Sequence, residues 1–139
     1  MTAYPAGTPG ADLTAYLIRY PQDITFGDED AAAVFARYHT DDFVLSNDGT
    51  PLDRERLLAH VRPARRNAVQ AHVEVHDALV SADRVAARYT LTALMRQGHT
   101  IVTDIHMFGG LAPDGRLRRV EQLTRHISDR EPATRRDPG

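Results

Sequence analysis

Residues 69–76 read Val-Gln-Ala-His-Val-Glu-Val-His, with a small or apolar side chain at every second position. This alternation predicts a β-strand with one dry face, because successive side chains of a strand point to opposite sides. Similar segments follow it at 85–96, 100–108 and 117–127. Turn signals separate the four segments, namely Ser81-Ala82-Asp83, Gln97-Gly98-His99 and the Gly109–Gly115 stretch. We therefore expect a meander of four long antiparallel strands.

The half of the chain before this meander has helical periodicity. Leu13, Leu17 and Tyr20 share one face of a helix predicted over 11–20, which Pro21 is expected to end. A second helix, with Asp28 or Asp30 as its cap, is predicted through 31–38.

Two further elements are predicted before the meander. Phe43-Val44-Leu45 indicates a short strand, closed by the turn signal Asn47-Asp48-Gly49. Asp53 is expected to cap a third helix, which ends at Pro63. Three helices followed by antiparallel strands are typical of an α+β fold. Helices packed on a curved antiparallel sheet would form a cone that encloses a pocket.

The predicted domain organisation is simple. One domain is expected over 10–128, with a flexible N-terminus at 1–9 and a flexible tail at 129–139, where Pro, Gly and charged residues replace apolar periodicity. The chain has 139 residues, of which 42% are hydrophobic, as in ordinary globular domains. No apolar run reaches the roughly 20 residues of a membrane span, and the start does not resemble a secretory signal. We expect a cytoplasmic protein without membrane association.

Composition excludes several kinds of chemistry. There is no cysteine, and all 17 basic residues are arginine, which excludes thiolate metal sites, cysteine nucleophiles and lysine Schiff bases. The formal net charge of −2 gives no general attraction for nucleic acid. His72 and His76 lie about 13 Å apart on a straight strand, so they cannot hold one ion together with Glu74. No metal and no cofactor are expected.

The order of the elements, together with Asp104-Ile105-His106-Met107-Phe108 and Asp114-Gly115-Arg116-Leu117, resembles the nuclear-transport-factor-2-like superfamily over 10–128. Within it the chain is most similar to the SnoaL-like polyketide cyclase group. The superfamily includes ketosteroid isomerases, epoxide hydrolases, dehydratases and cyclases, and also members that only bind ligands or proteins. The resemblance implies a homodimer formed through the exposed sheet face.

Four positions carry over from this resemblance. Asp104 matches the oxyanion-hole aspartic acid of the isomerases and the expected acid–base aspartate of the cyclases. Asn47 matches the isomerase general base, as an amide, and resembles the asparagine that holds water in epoxide hydrolases. Gln122 matches an aspartate of those hydrolases, and Tyr20 the oxyanion-hole tyrosine of the isomerases.

Strand parity points to the same region, which lies on the fourth predicted strand, 100–108. Asp104, His106 and Phe108 share one face, and the opposite face is also largely apolar, so we expect both faces to be covered. A buried aspartate about 7 Å from a histidine is suited to proton transfer. Arg88 on the neighbouring strand could contact the substrate, or hold Asp104 in a purely structural ion pair.

These observations favour a cofactor-free acid–base enzyme acting on a hydrophobic, oxygenated small molecule, of the polyketide cyclase or dehydratase type. Asp104 and His106 are the predicted catalytic residues. The predicted substrate-binding residues are Tyr20, Asn47, Arg88, Phe108 and Gln122. Two alternatives remain open, which are an epoxide hydrolase of the same fold and a non-catalytic binding module.

Overall fold

The computed structural model describes residues 3–130, and it confirms the α+β fold class. Two helices, two strands and two short helices come first, and four long strands follow. In chain order the elements are α1 (Leu13–Phe26), α2 (Ala31–Tyr38), β1 (His39–Asn47), β2 (Thr50–Asp53), α3 (Arg54–Ala59), α4 (Val61–Asn67), β3 (Ala68–Ser81), β4 (Arg84–Met95), β5 (Thr100–Leu111) and β6 (Leu117–Arg130). None of the described helices is long and apolar enough to cross a membrane.

The strands form one sheet in the order β2-β1-β6-β5-β4-β3. The predicted meander is present, because β3, β4, β5 and β6 pair in sequence and antiparallel. The sheet is mixed rather than wholly antiparallel, since β1 pairs parallel to β6 with Leu45 opposite Val120 and Asn47 opposite Gln122. This parallel pair brings two predicted site residues together.

Aspartates begin three of the helices, as N-cap chemistry predicts. The carboxylate of Asp12 accepts from Ala15 N at 3.0 Å, which satisfies an amide that has no partner within the helix. Asp30, rather than Asp28, caps α2, and Asp53 caps α3. The turn Asn47-Asp48-Gly49 is also found as predicted, with positive φ at Asp48 and Gly49.

Both prolines that were expected to end helices lie inside them. Pro21 lies within α1, which continues for five more residues because Ile24 packs into the core. Proline removes one backbone hydrogen bond, and the buried face of α1 offsets that loss. The predicted third helix is divided at His60, so that Pro63 falls in the first turn of α4, where no amide donor is needed.

Gly109 and Gly110, expected in a turn, are strand residues of β5. A Cβ atom on Gly109 would lie 2.6 Å from the carbonyl oxygen of Arg119 on β6, so only glycine fits this close approach of two strands. The turn itself follows at 112–116, where Gly115 has a φ of 89°.

Helix α1 determines which sheet face is the inner one. Leu13, Leu17 and Ile24 are buried on one side of α1. They belong to one core cluster with sheet residues, among them Val85, Ala87, Met107, Leu117 and Val120. The odd-numbered residues of β4 and β5 therefore face inward over 85–107, and their even-numbered neighbours face outward.

Both segments that flank the predicted domain contribute to the fold where the structure describes them. Within the N-terminal segment predicted to be flexible, Tyr4 packs against the core and its hydroxyl donates to Ala82 O at 2.8 Å. Strand β6 runs to Arg130, so the first two residues of the predicted tail belong to the sheet. The rest of that tail lies outside the described residues.

Candidate functional site

A cavity of about 300 Å³ lies between the helices and the inner face of the sheet. Its wall is mostly apolar. The apolar residues that line it are Leu17, Pro21, Ile24, Phe35, Phe43, Leu45, Leu57, Leu91, Ile105, Met107 and Val120. The remaining lining residues carry polar atoms, and they are Tyr16, Tyr20, Thr25, His39, Tyr89 and Gln122. A largely apolar pocket with a few polar groups is the usual form of a small-molecule site.

The polar centre of this cavity is a hydrogen-bonded pair of Tyr16 and His39. The Tyr16 hydroxyl lies 2.7 Å from His39 Nε2, and His39 Nδ1 lies 2.9 Å from the carbonyl oxygen of Phe35. Because a carbonyl can only accept, Nδ1 carries the ring hydrogen, and Nε2 of the neutral ring then accepts from the tyrosine hydroxyl. His39 is 2% exposed, so its one basic nitrogen is shielded from bulk water.

Burial sets the protonation of both partners. Desolvation lowers the pKa of His39 to about 4, although the hydrogen bond to Phe35 O opposes this change. Desolvation also raises the pKa of Tyr16 well above its ordinary value, with smaller contributions from the neighbouring tyrosines. At neutral pH the pair is therefore a neutral imidazole and a neutral phenol, joined through a single proton.

Aromatic rings hold the imidazole in place. Phe35 stacks on the His39 ring with centroids 4.3 Å apart, and Tyr20 meets it edge-on at 4.8 Å. Tyr16 in turn stacks on Tyr20 at 5.5 Å. Such contacts restrict ring rotation, so the nitrogen that faces Tyr16 stays in position.

Gln122 and Asn47 form a second polar group at the end of β1. Gln122 lines the cavity, and its Nε2 donates to Asn47 Oδ1 at 3.0 Å. Asn47 is not a lining residue, so it holds the Gln122 amide rather than facing the cavity. Asp48 fixes this end by accepting from the Thr124 amide at 2.8 Å and from its hydroxyl at 2.5 Å. Of the predicted binding residues, Tyr20 and Gln122 line the cavity.

The predicted placement of Asp104 and His106 in the cavity is wrong. Both lie on the outer sheet face, where His106 is exposed, while Ile105 and Met107 face inward. Asp104 accepts from Thr90 at 2.7 Å and from Arg125 at 3.2 Å. These contacts hold the pKa of Asp104 below its usual value, contrary to what a proton-transfer role in a dry pocket requires.

Arg88 and Phe108, the other predicted binding residues, also lie on the outer face. Arg88 pairs with Asp77 at 3.0 Å rather than with Asp104, and Phe108 is 62% exposed. The expectation that both faces of β5 are covered is not met within residues 3–130, because the helices described there pack on one face of the sheet. His72, Glu74 and His76 are exposed as well.

Neither Tyr16 nor His39 is among the site residues predicted from the sequence. Tyr16 shares the helix face of Leu13, Leu17 and Tyr20, which was an available signal. His39 follows Phe35 by four residues, at the point where α2 gives way to β1, and no sequence pattern marks it. Its partner lies 23 residues away, so the pair depends on how α1 packs beside α2.

Solved structures with the same fold were found, and their identities are low. IdmH from Streptomyces antibioticus, described as a candidate polyketide cyclase, has a TM-score of 0.62 and 18% identity, over 83% of this chain and 91% of that one. A candidate polyketide cyclase from Bacillus cereus has a TM-score of 0.61 and 20% identity, over 82% and 74%. A candidate isomerase from Rhodopseudomonas palustris has a TM-score of 0.61 and 10% identity, over 81% and 87%. These likenesses show the nuclear-transport-factor-2-like fold.

Among curated proteins, no sequence matches this chain. A family profile does match, and it covers most of the chain. Residues 19–120, which include most of α1 and the sheet as far as Val120, match the profile of the SnoaL-like domain. The chain therefore belongs to the SnoaL-like domain family.

Proposed function

We propose that this protein is a cofactor-free acid–base enzyme that acts on a hydrophobic, oxygenated small molecule, as a polyketide-type cyclase or a dehydratase. The observation that carries the proposal is the Tyr16–His39 hydrogen bond of 2.7 Å within a mostly apolar cavity. Membership of the SnoaL-like family and the neighbours described as candidate polyketide cyclases support it.

In the proposed reaction the pair removes a proton from a carbon next to a carbonyl group. The Tyr16 oxygen accepts this proton while its own proton passes to Nε2 of His39, so that the charge appears on the imidazole. With a pKa lowered to about 4 by burial, His39 is a weak base. The negative charge that develops on the substrate oxygen lies in the same low-dielectric space and raises the basicity of His39 as the proton moves.

Two other groups are suited to bind the developing oxyanion. Gln122 lines the cavity, and its amide is held by Asn47. Tyr20 offers a hydroxyl from α1, and burial raises its pKa, so this hydroxyl remains a hydrogen-bond donor at neutral pH. A pre-positioned donor contributes most where it is shielded from water. Intramolecular aldol cyclisation and loss of water can both use this arrangement.

Hydrogen–deuterium exchange tests the proposal without knowledge of the natural substrate. Keto- and hydroxy-substituted one- and two-ring compounds are incubated with the protein in D₂O, and ¹H NMR follows exchange next to the carbonyl. We expect the protein to accelerate exchange of at least one compound, and Tyr16→Phe to remove most of this acceleration because the proton path is cut. If no compound exchanges or turns over faster than in buffer, the chain is a binding module rather than an enzyme.

Epoxide hydrolysis is the second candidate, and the contact between Gln122 and Asn47 favours it, because an amide held in place at the cavity wall can bind a water molecule. Neither amide can take a proton from that water, so His39 would have to do so. Hydrolysis in ¹⁸O-labelled water distinguishes the reactions. Label in a diol product supports hydrolysis, and unlabelled product supports cyclisation or dehydration.

We also propose that the protein is a homodimer formed through the outer sheet face. Leu79 and Phe108 lie in one row across β3, β4 and β5, and Leu123 lies diagonally beside Phe108 on β6. These side chains are 67%, 62% and 68% exposed. Arg88 and Asp104 lie close by, and a face that carries both charge signs can pair with itself around a two-fold axis.

Light scattering tests the dimer directly. We expect the wild type to have a mass in solution twice the 15.5 kDa of one chain. Leu123→Glu should give the monomeric mass, because it places a carboxylate among the exposed apolar residues of this face. As a control, Ile18→Glu on α1, which is 43% exposed and lies in the helix layer, should leave the mass unchanged. A monomeric wild type would rule the dimer out.

A further inference from the structure

No charged side chain lines the cavity within the part of the chain that the structure describes. Its polar atoms come from three tyrosines, one histidine, one threonine and one glutamine. The chain has 17 arginines and 19 acidic residues, yet none of those described contributes to this wall. An ionic ligand would therefore exchange its hydration shell for apolar atoms and a few neutral dipoles.

The ionisable groups of the wall also remain neutral over a wide pH range. Burial raises the pKa values of Tyr16 and Tyr20, and it raises that of Tyr89 to about 12. Burial lowers the pKa of His39 to about 4. Between about pH 5 and pH 9 the wall therefore neither carries charge nor acquires any.

One positive charge, that of Arg116, lies behind His39 and is already engaged. Nη1 of Arg116 donates to the carbonyl oxygens of Ala36 and His39 at 3.1 and 3.2 Å. Its Nε donates to the Asp114 carboxylate at 2.8 Å. Arg54 on α3 is not a lining residue, although Leu57 of the same helix is. Among the residues that the structure describes, the wall therefore holds no counter-ion for an anionic ligand.

The cavity volume limits the size of the ligand. About 300 Å³ is at the small end of the range for small-molecule sites. Tyr16, Tyr20 and Phe35 add flat aromatic surfaces against which a ring can pack. One or two fused rings suit this space better than an extended or multiply charged molecule.

We infer that the cavity selects uncharged ligands of one or two rings, and that it admits a carboxylic acid only in its protonated form. The inference rests on the proposed function in one respect, namely that the cavity is the ligand site. It does not depend on whether chemistry follows binding, so it can be tested with ligands that do not react.

Three naphthalene derivatives with the same number of non-hydrogen atoms test this selectivity by calorimetry at pH 7. They are 2-acetylnaphthalene, 2-naphthamide and 2-naphthoate, of which only the last is charged. We expect the ketone and the amide to bind with similar affinity and the carboxylate to bind at least about a hundredfold more weakly. Because the amide is polar but uncharged, its affinity shows whether charge or polarity weakens the binding of the carboxylate.

The pH dependence gives a second readout. A carboxylic acid with a pKa of about 4 is neutral in only about one molecule in a thousand at pH 7. If only this form binds, the apparent affinity of naphthoate should rise about tenfold for each pH unit lowered from 7 to 5. The affinity of the ketone should stay constant, because no group in the wall titrates in this window.

A pair of leucine variants locates the binding site. Leu91→Trp fills the cavity from β4 and should remove binding of the ketone. Leu94→Trp lies on the opposite face of the same strand and should leave this binding unchanged. Circular dichroism shows whether each variant is folded.

Three results would overturn the inference. They are equal affinity for naphthoate and ketone at pH 7, a naphthoate affinity that does not change between pH 7 and 5, and absence of ketone binding. The proposed catalysis fails on a different observation, which is the lack of exchange or turnover with ligands that do bind. A selective but inactive protein would support the inference and contradict only the enzymatic proposal.

Discussion

Replacing His39 by glutamine is expected to lower turnover or proton exchange by about 10²- to 10⁴-fold, the usual range for the loss of a general base. Glutamine offers one donor for the carbonyl of Phe35 and one acceptor for the hydroxyl of Tyr16, so both hydrogen bonds of the neutral imidazole can be kept. It has no basic atom that could take a proton. The rate constants of wild type and variant on the same compound measure the effect.

Asp104→Asn is the matched control for this experiment. Asp104 lies on the outer face, where it accepts from Thr90 and Arg125, and the change should alter the rate less than about twofold. The opposite pattern, with full activity in His39→Gln and a large loss in Asp104→Asn, would indicate that Asp104 is the catalytic residue, as the sequence predicted.

His39→Gln should also change how the free energy of unfolding depends on pH. His39 is protonated near pH 6.5 in an unfolded chain and near pH 4 in the folded one. Between these values the unfolded state binds more protons, so the free energy of unfolding falls as the pH is lowered from 6.5 to 4. Urea unfolding at pH 7 and 4.5 should show a loss about 2 kcal/mol smaller in His39→Gln than in wild type. Equal losses would mean that His39 is not a buried neutral imidazole.

Phe35→Ala should lower the free energy of unfolding by about 3–5 kcal/mol, the usual cost of removing a large aromatic side chain from a core. Phe35 is 1% exposed, stacks on His39 and meets Phe43 edge-on with centroids 5.8 Å apart. Its loss leaves a void beside the imidazole that the surrounding strands can only partly close. Urea unfolding followed by circular dichroism measures the change.

Phe108→Ala makes the same substitution on the outer face, where the side chain is 62% exposed in one chain. We expect a change within about 0.5 kcal/mol when the protein is measured below the concentration at which it associates. A cost as large as that of Phe35→Ala under these conditions would mean that β5 has been assigned the wrong inner face.

The secondary structure was largely determined by local sequence. The alternation of Val69, Ala71, Val73 and Val75 predicts β3, and turn residues such as Gly98 separate the strands that follow. Asp30 and Asp53 cap helices, as their side-chain chemistry predicts. Strand periodicity and capping depend on neighbours within a few residues, and for this reason the sequence alone was sufficient.

Tertiary packing decided what sequence periodicity could not. Alternation places Asp104 and His106 on one face of β5 and Ile105 and Met107 on the other. Apolar residues occur on both faces, since Phe108 shares the face of Asp104. The pattern therefore fixes which residues share a face, but not which face the helices cover. The helices cover the face of Ile105 and Met107, and this leaves Asp104 outside the cavity.

The candidate site depends on the same long-range packing. Tyr16 meets His39 because α1 lies beside α2, and Gln122 meets Asn47 because β6 runs parallel to β1 across 75 residues of sequence. Length, composition and periodicity determined that this chain forms helices on a sheet with a pocket between them. The Tyr16–His39 pair and the inner face required the folded structure, because hydrogen bonds and burial between distant segments leave no local pattern in the sequence.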